Sequence, residues 1–254
     1  MAMTTGGIPM QSDHIVSRFD EELATLAVRI AQMGGLAEQS LTNAITALRT
    51  RDHELAEQVI INDQKIDAME TEVEDLAIQL IARRQPMASD LREVMAANKI
   101  CSDLERIGDL AKNVAKRVGI IREEYQPPKI ILGIEHLSDI ALQQLKDVLD
   151  AYTRRDVEAA KGVWHRDRNL DAIYTSIFRE LLTYMMEDPR SITLCTHLLF
   201  AAKNIERIGD HATNIAETIC YLVTGDQLEG DRIKVDEMSD IQPVDSASKS
   251  TPGA

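Results

Sequence analysis

Aromatic side chains are scarce in this chain, at 4% of its residues, so a core of stacked rings or a β-sandwich interior is not expected. Glycine (12) and proline (7) are also few for 254 residues, which leaves room for long uninterrupted helices. Cysteine numbers three: Cys101, Cys195 and Cys220 stand far apart, with no CxxC pair, so a zinc knuckle, a redox motif and a disulfide framework are all excluded and free thiols are expected. Positive charge is in deficit. The formal net charge of -14 would repel a phosphate backbone, which argues against nucleic acid as a partner. No stretch approaches the roughly 18 apolar residues of a membrane span, and Met1 to Gln11 lack a basic segment followed by an apolar one, so no secretory leader is expected. There is no GxxxxGK[ST] loop for nucleotide phosphates.

What is present is a repeat. Glu105-Arg106-Ile107-Gly108-Asp109 returns as Glu206-Arg207-Ile208-Gly209-Asp210, an offset of 101, and the likeness runs on through Ala111/Ala212, Asn113/Asn214 and Ala115/Ala216. Upstream, Asp63-Gln64-Lys65-Ile66-Asp67 faces Asp167-Arg168-Asn169-Leu170-Asp171 at an offset of 104. A three-residue length change near Pro86 and Pro189 reconciles the two, and an internal duplication accounts for the pattern.

Apolar periodicity follows the duplication. Val59, Ile66, Val73 and Leu80 recur every seven residues and are matched by Val163, Leu170, Ile177 and Tyr184. Ile30, Met33, Ala37, Leu41 and Ala44 pair with Ile134, Leu137, Ala141, Leu145 and Val148, and Leu104, Ile107, Ala111, Val114 and Val118 with Ile205, Ile208, Ala212, Ile215 and Ile219. Spacings of three and four place each set on one helix face. The chain therefore reads as all-α, two tandem three-helix bundles, with helices near 13–50, 53–84, 88–123, 130–154, 156–187 and 191–224. Pro86, Pro127-Pro128 and Asp188-Pro189 mark breaks, while nothing so plain marks those near Arg51 and Arg155. The first bundle is expected over 13–124 and the second over 129–225. Residues 1–12 and the polar tail 226–254 are expected to be disordered.

Four acidic pairs stand at equivalent places in the two halves: Asp63/Asp67, Glu105/Asp109, Asp167/Asp171 and Glu206/Asp210. Residues four apart share a helix face, where like charges cost a few tenths of a kcal/mol. Repetition of that cost has two readings, a solvated acidic face or a bound cation chelated between neighbouring helices. The pairs are nearly level about the turns at Pro86 and Pro189, which predicts one shared acidic site per half, and a helical wheel puts Glu105, Asp109 and Asn113, like Glu206, Asp210 and Asn214, outside the apolar seam. Glu70 and Glu74 extend the stripe in the first half, where Tyr174 and Phe178 stand in the second, so unequal metal occupancy is expected. Arg106 and Arg207 either steady neighbouring carboxylates or lie on the surface. Gly108 and Gly209 point to close helix approach. None of the six histidines follows a Glu by three residues, as the carboxylate-bridged dimetal oxidases require, so that enzyme class is not expected.

These motifs carry a resemblance. The duplicated Glu-Arg-Ile-Gly-Asp, the run Ala82-Arg83-Arg84-Gln85-Pro86-Met87-Ala88-Ser89-Asp90-Leu91-Arg92 and Thr183-Tyr184-Met185-Met186-Glu187-Asp188 are similar to those of the PhoU family, over about residues 12–225. The resemblance implies a pseudo-twofold pair of three-helix bundles and a non-enzymatic, cytoplasmic negative regulator of phosphate uptake and of the phosphate-starvation (Pho) regulon. The implied partners are the sensor kinase PhoR and the ATPase subunit of the PstSCAB transporter, with the membrane reached only through them, and a homodimer is implied as well. It also implies multinuclear metal, iron first and manganese, zinc or magnesium as alternatives, on Asp63, Asp67, Glu105, Asp109, Asp167, Asp171, Glu206 and Asp210. The polar turn with Arg83, Arg84, Asp90 and Arg92 is a candidate partner contact. The alternative reading is a metal-binding helical scaffold or oligomerisation module with no part in phosphate signalling.

Overall fold

The first half is built from α1 (Gln11–Thr50), α2 (His53–Arg84) and α3 (Ser89–Ile120). The second repeats it with α4 (Pro128–Arg154), α5 (Val157–Glu187) and α6 (Ile192–Thr224), the last entered through a 3-10 turn at Pro189–Ser191. The computed structural model describes residues 11–121 and 128–228, and all regular structure among them is helical. Of the segments expected to be disordered, 1–12 and 226–254, residues 1–10 and those from 229 lie outside the described residues, as does the link at 122–127, while 11–12 open α1 and correct that boundary. No described helix is long and apolar enough to cross a membrane.

Each apolar stripe read from the sequence is a buried seam, save that Tyr184 at the end of the α5 stripe is half-buried. Ile30, Met33, Ala37, Leu41 and Ala44 of α1 are fully buried, as are Leu104, Ile107, Ala111 and Val114 of α3 and their counterparts Ile205, Ile208, Ala212 and Ile215 of α6. Each half is an antiparallel trio in which every helix packs on the other two. The halves join along α3 against α6 and α1 against α4, so α3 and α6 are clasped from several sides.

The two boundaries without a Gly or Pro signal are the cleanest turns. Arg51 (φ 57°) and Arg155 (φ 53°) adopt the left-handed conformation, and Asp52 and Asp156 then cap α2 and α5. Asp52 Oδ1 accepts from the Leu55 N–H at 2.9 Å, and Asp156 Oδ1 from that of Ala159 at 3.0 Å. The legible signal was Arg-Asp-x-Glu at the start of each helix, a capping residue followed by an acid in the first turn. Helix α4 begins two residues earlier than expected, at Pro128, because proline's missing N–H costs nothing in a first turn.

Candidate functional site

Asp63 falls four residues after Val59 and three before Ile66, the alternation that continues the α2 seam. It is therefore buried, at 3% exposure, and its counterpart Asp167 in α5 is 6% exposed. Glu206 is 6% exposed as well. This corrects the expectation of an outward acidic stripe. The wheel considered one seam per helix, but α3 and α6 pack on three neighbours each and have little free face. Asp67 and Glu74 remain exposed, while Glu70, Glu105, Asp109, Asp171 and Asp210 are half-buried.

Close helix approach makes this burial possible. A Cβ on Gly108 would lie 2.8 Å from Ile66 Cδ1 and 3.3 Å from Asp63 Oδ1, and one on Gly209 2.5 Å from Leu170 Cδ2. Glycine at these places lets α3 press on α2, and α6 on α5, at the level of the acids.

In the first half the carboxyls lie near enough to act on one another. Burial pushes the Asp63 carboxyl above its ordinary value; Lys112 opposes the rise, and Asp67 and Asp109 add to it. Burial also raises Glu105, with Asp109, Asp67 and Asp63 reinforcing and Arg106 opposing, and it raises Glu70, reinforced chiefly by Glu105. Lys112, which the sequence reading passed over, reaches across to α2. Its ammonium pairs with Asp63 Oδ2 and lies 2.5 Å from Asp109 Oδ1. Burial alone would lower the Lys112 pKa, but these two bonds outweigh it and hold the group above its ordinary value. Arg106 is exposed and sits 3.4 Å from Glu105 Oε2 and 3.7 Å from Asp109 Oδ2, a steadying position, whereas Arg207 is simply exposed.

The second half answers differently. The residue equivalent to Lys112 is Thr213, which is fully buried and shares its one hydroxyl proton between Asp167 Oδ1 at 3.2 Å and the Gly209 carbonyl at 3.0 Å. Lys203 lies 2.7 Å from Glu206 Oε2 and 5.1 Å from the centre of the Tyr174 ring. Asn214 reaches across the joint between halves to α3. It donates at 3.4 Å to the buried Asp103 of α3, whose Oδ1 also lies 2.8 Å from His211 Nδ1. Four residues advance a helix by 400°, so the third member of each stripe has drifted some 80° from the first, and in the second half this turns Asn214 toward the joint between halves. Asn113 instead accepts along its own helix from Lys116 at 3.5 Å.

Among the described residues no three His, Cys, Asp or Glu side chains are gathered so as to hold a metal ion. The donor chemistry is right for hard cations, but the arrangement does not fit the multinuclear metal that the resemblance implies, because a lysine already stands between Asp63 and Asp109. The turn at Pro86 also divides. Arg84 is spoken for by Glu22 of α1, with two N–H···O bonds of 3.0 Å, and Arg92 stacks over Tyr221 at 5.6 Å. Arg83 and Asp90 remain exposed, beside Met87 at 79%.

Comparisons agree with this architecture. The family model described as the PhoU domain matches twice, at residues 30–118 and 134–219, one copy per half. A Rhizobium meliloti (strain 1021) protein named "Phosphate-specific transport system accessory protein PhoU homolog" is 57% identical over 235 residues, covering 92% of this chain and 99% of its own length. The Escherichia coli (strain K12) accessory protein PhoU is 41% identical over 212 residues, with 84% and 88% covered. The crystal structure of PhoU from Pseudomonas aeruginosa superposes with a TM-score of 0.79 at 40% identity, over 82% of this chain and all of that one. With the duplicated Glu-Arg-Ile-Gly-Asp helices found where the two domain matches fall, the chain belongs to the PhoU family.

Proposed function

We propose that the protein is an accessory regulator of phosphate transport: a helical adaptor that restrains phosphate uptake and the phosphate-starvation response when phosphate is plentiful. The single observation that supports this most is end-to-end similarity to proteins named for that system, 57% identity over 92% of the chain in one case. Asp63 and Glu206 are paired with the ammonium groups of Lys112 and Lys203, Asp167 accepts from the hydroxyl of Thr213, and all three thiols are buried, with burial holding that of Cys101 up at about 12.

As an adaptor the protein works by differential affinity. A surface that binds both the ATPase of the PstSCAB transporter and the sensor kinase PhoR couples one to the other only if transporter state changes the affinity for the kinase. For the contact we favour the α2–α3 turn. Met87 is 79% exposed between the exposed Arg83 and Asp90, and Ala88 takes φ 49°, ψ -111°, a conformation costly for a residue with a Cβ. Arg84 and Arg92, which face inward, are left out of it.

Deletion of the gene, followed by measurement of phosphate-starvation gene expression in high phosphate, tests the reading. Derepression is expected, and unchanged expression would remove it. Substitution of Met87 and Arg83 to Ser should weaken capture of the kinase's cytoplasmic part without lowering stability.

A further inference from the structure

We infer that Lys112 is the resident cation of the first half: its ammonium group fills, between Asp63 of α2 and Asp109 of α3, the place that a metal ion would take. The inference starts from the disagreement between acids that gather and a metal arrangement that does not. Asp63 is 3% exposed, in a seam otherwise made of Val59, Ile66 and Val73. A carboxylate there requires a cation or a hydrogen-bond donor as partner. Lys112 supplies one from within the chain. It stands three residues after Asp109, so its stem lies along α3 while its head crosses to α2, and the side chain is only 20% exposed.

A tethered ammonium is always present, whereas a metal must compete with it. To enter, a dication would have to expel Lys112 into the neighbouring carboxylates' field and then break two charge-assisted bonds. Two oxygens nearby have no such bond: Asp63 Oδ1 and Glu105 Oε2 are buried without a hydrogen bond among the described residues, Glu105 Oε2 having only the 3.4 Å ion pair to Arg106, so loss of the lysine leaves unmet negative charge for which a dication can compete, although no three acids are pre-arranged around one. The second half has a neutral hydroxyl, Thr213, at the equivalent position. One substitution, Lys112→Thr, therefore gives the first half the second half's residue.

Mn2+ bound per chain, counted on purified full-length protein by equilibrium dialysis and electron paramagnetic resonance, reads this directly. Lys112→Thr should bind about one Mn2+ more than the unaltered chain, whatever the unaltered chain binds. Lys112→Arg, which keeps the cation, should bind no more. Adding Asp63→Asn and Asp109→Asn to Lys112→Thr should abolish the gain. EDTA should lower the melting temperature of Lys112→Thr and Mn2+ restore it. If Lys112→Thr does not fold, Lys112→Met, closer in volume, carries the same expectation. An unchanged or smaller Mn2+ count in either folded variant overturns the inference, as does a gain that survives loss of both aspartates. Because the count is made on isolated protein, it stands or falls separately from the regulatory role tested by gene deletion.

Discussion

Between Val59 and Ile66 stands Asp63, and between Val163 and Leu170 stands Asp167. Both are buried at the same level of their bundles, and each meets a different partner: a lysine ammonium in the first half, a threonine hydroxyl in the second. The next polar seam position is Glu70 in α2 and Tyr174 in α5. Duplication has preserved backbone devices, namely the two aspartate caps, the two left-handed arginines and the two glycine contacts. It has not preserved the way buried negative charge is balanced. A cap or a close contact is fixed by main-chain geometry and admits few residues, whereas a buried carboxylate can be compensated by any suitably placed cation or donor, so its partners can diverge.

The strongest way to break this comparison is at the two compensating residues. Lys112→Met should destabilise by about 3 kcal/mol, since it strands carboxylates in a seam that water hardly reaches. Thr213→Val should cost about 1 kcal/mol, the loss of one hydroxyl bond. Urea denaturation gives both values, and hydrogen exchange should show the first half opening in one case and the second in the other. Equal costs would mean that the halves balance charge in equivalent ways after all.

Next come the glycines. Valine at 209 would drive its branches into Leu170 and Gln144, and overpacking of this kind costs about 2 kcal/mol. Gly108→Val meets Ile66 and Asp63 less closely and should cost less, with the order of the two urea midpoints as the readout. Smaller and equal effects are expected at the caps: Asp52→Ala and Asp156→Ala should each lose about 1 kcal/mol, because each removes one carboxylate bond to an N–H in the first turn. A clear difference between them would show that the capped turns are not equivalent.

How much of this the sequence disclosed depends on the kind of interaction. Ile30, Leu104, Ile205 and their companions were legible because a helical period repeated over a hundred residues has one physical meaning. Gly108 and Gly209 were legible because glycine inside a helix needs a reason. Asp63 was only half legible. Its place in the Val59–Ile66 seam was visible, but its charge suggested solvent, and nothing local says that Lys112, 49 residues away, will reach it. Asp103 and His211, 108 residues apart, were not legible at all, since their meeting depends on how the halves dock. Arg84 and Arg92 looked like surface charge for the same reason, until Glu22 and Tyr221 were found beside them.

Gln144 sharpens the comparison at its finest grain. In α4 it occupies the place that Ser40 holds in α1, and it is 1% exposed, with both amide atoms lacking a hydrogen-bond partner among the described residues. Its Oε1 is 3.0 Å from where a Cβ on Gly209 would lie, so it fills space at the tightest contact of the second half while leaving its polarity unmet. A buried unpaired amide costs about 1–3 kcal/mol, and methionine has nearly the same length and no such requirement. Gln144→Met should therefore raise the stability of the second half by about 1 kcal/mol, after some loss to imperfect packing. Ser40→Ala in the first half should change it by less than about 0.5 kcal/mol, since Ser40 is 8% exposed and can turn its hydroxyl to solvent or to its own helix. Urea midpoints of the two variants decide it. A fall in stability for Gln144→Met would mean that the amide is satisfied in solution, and the second half would then hold a polar anchor of its own to set beside Lys112.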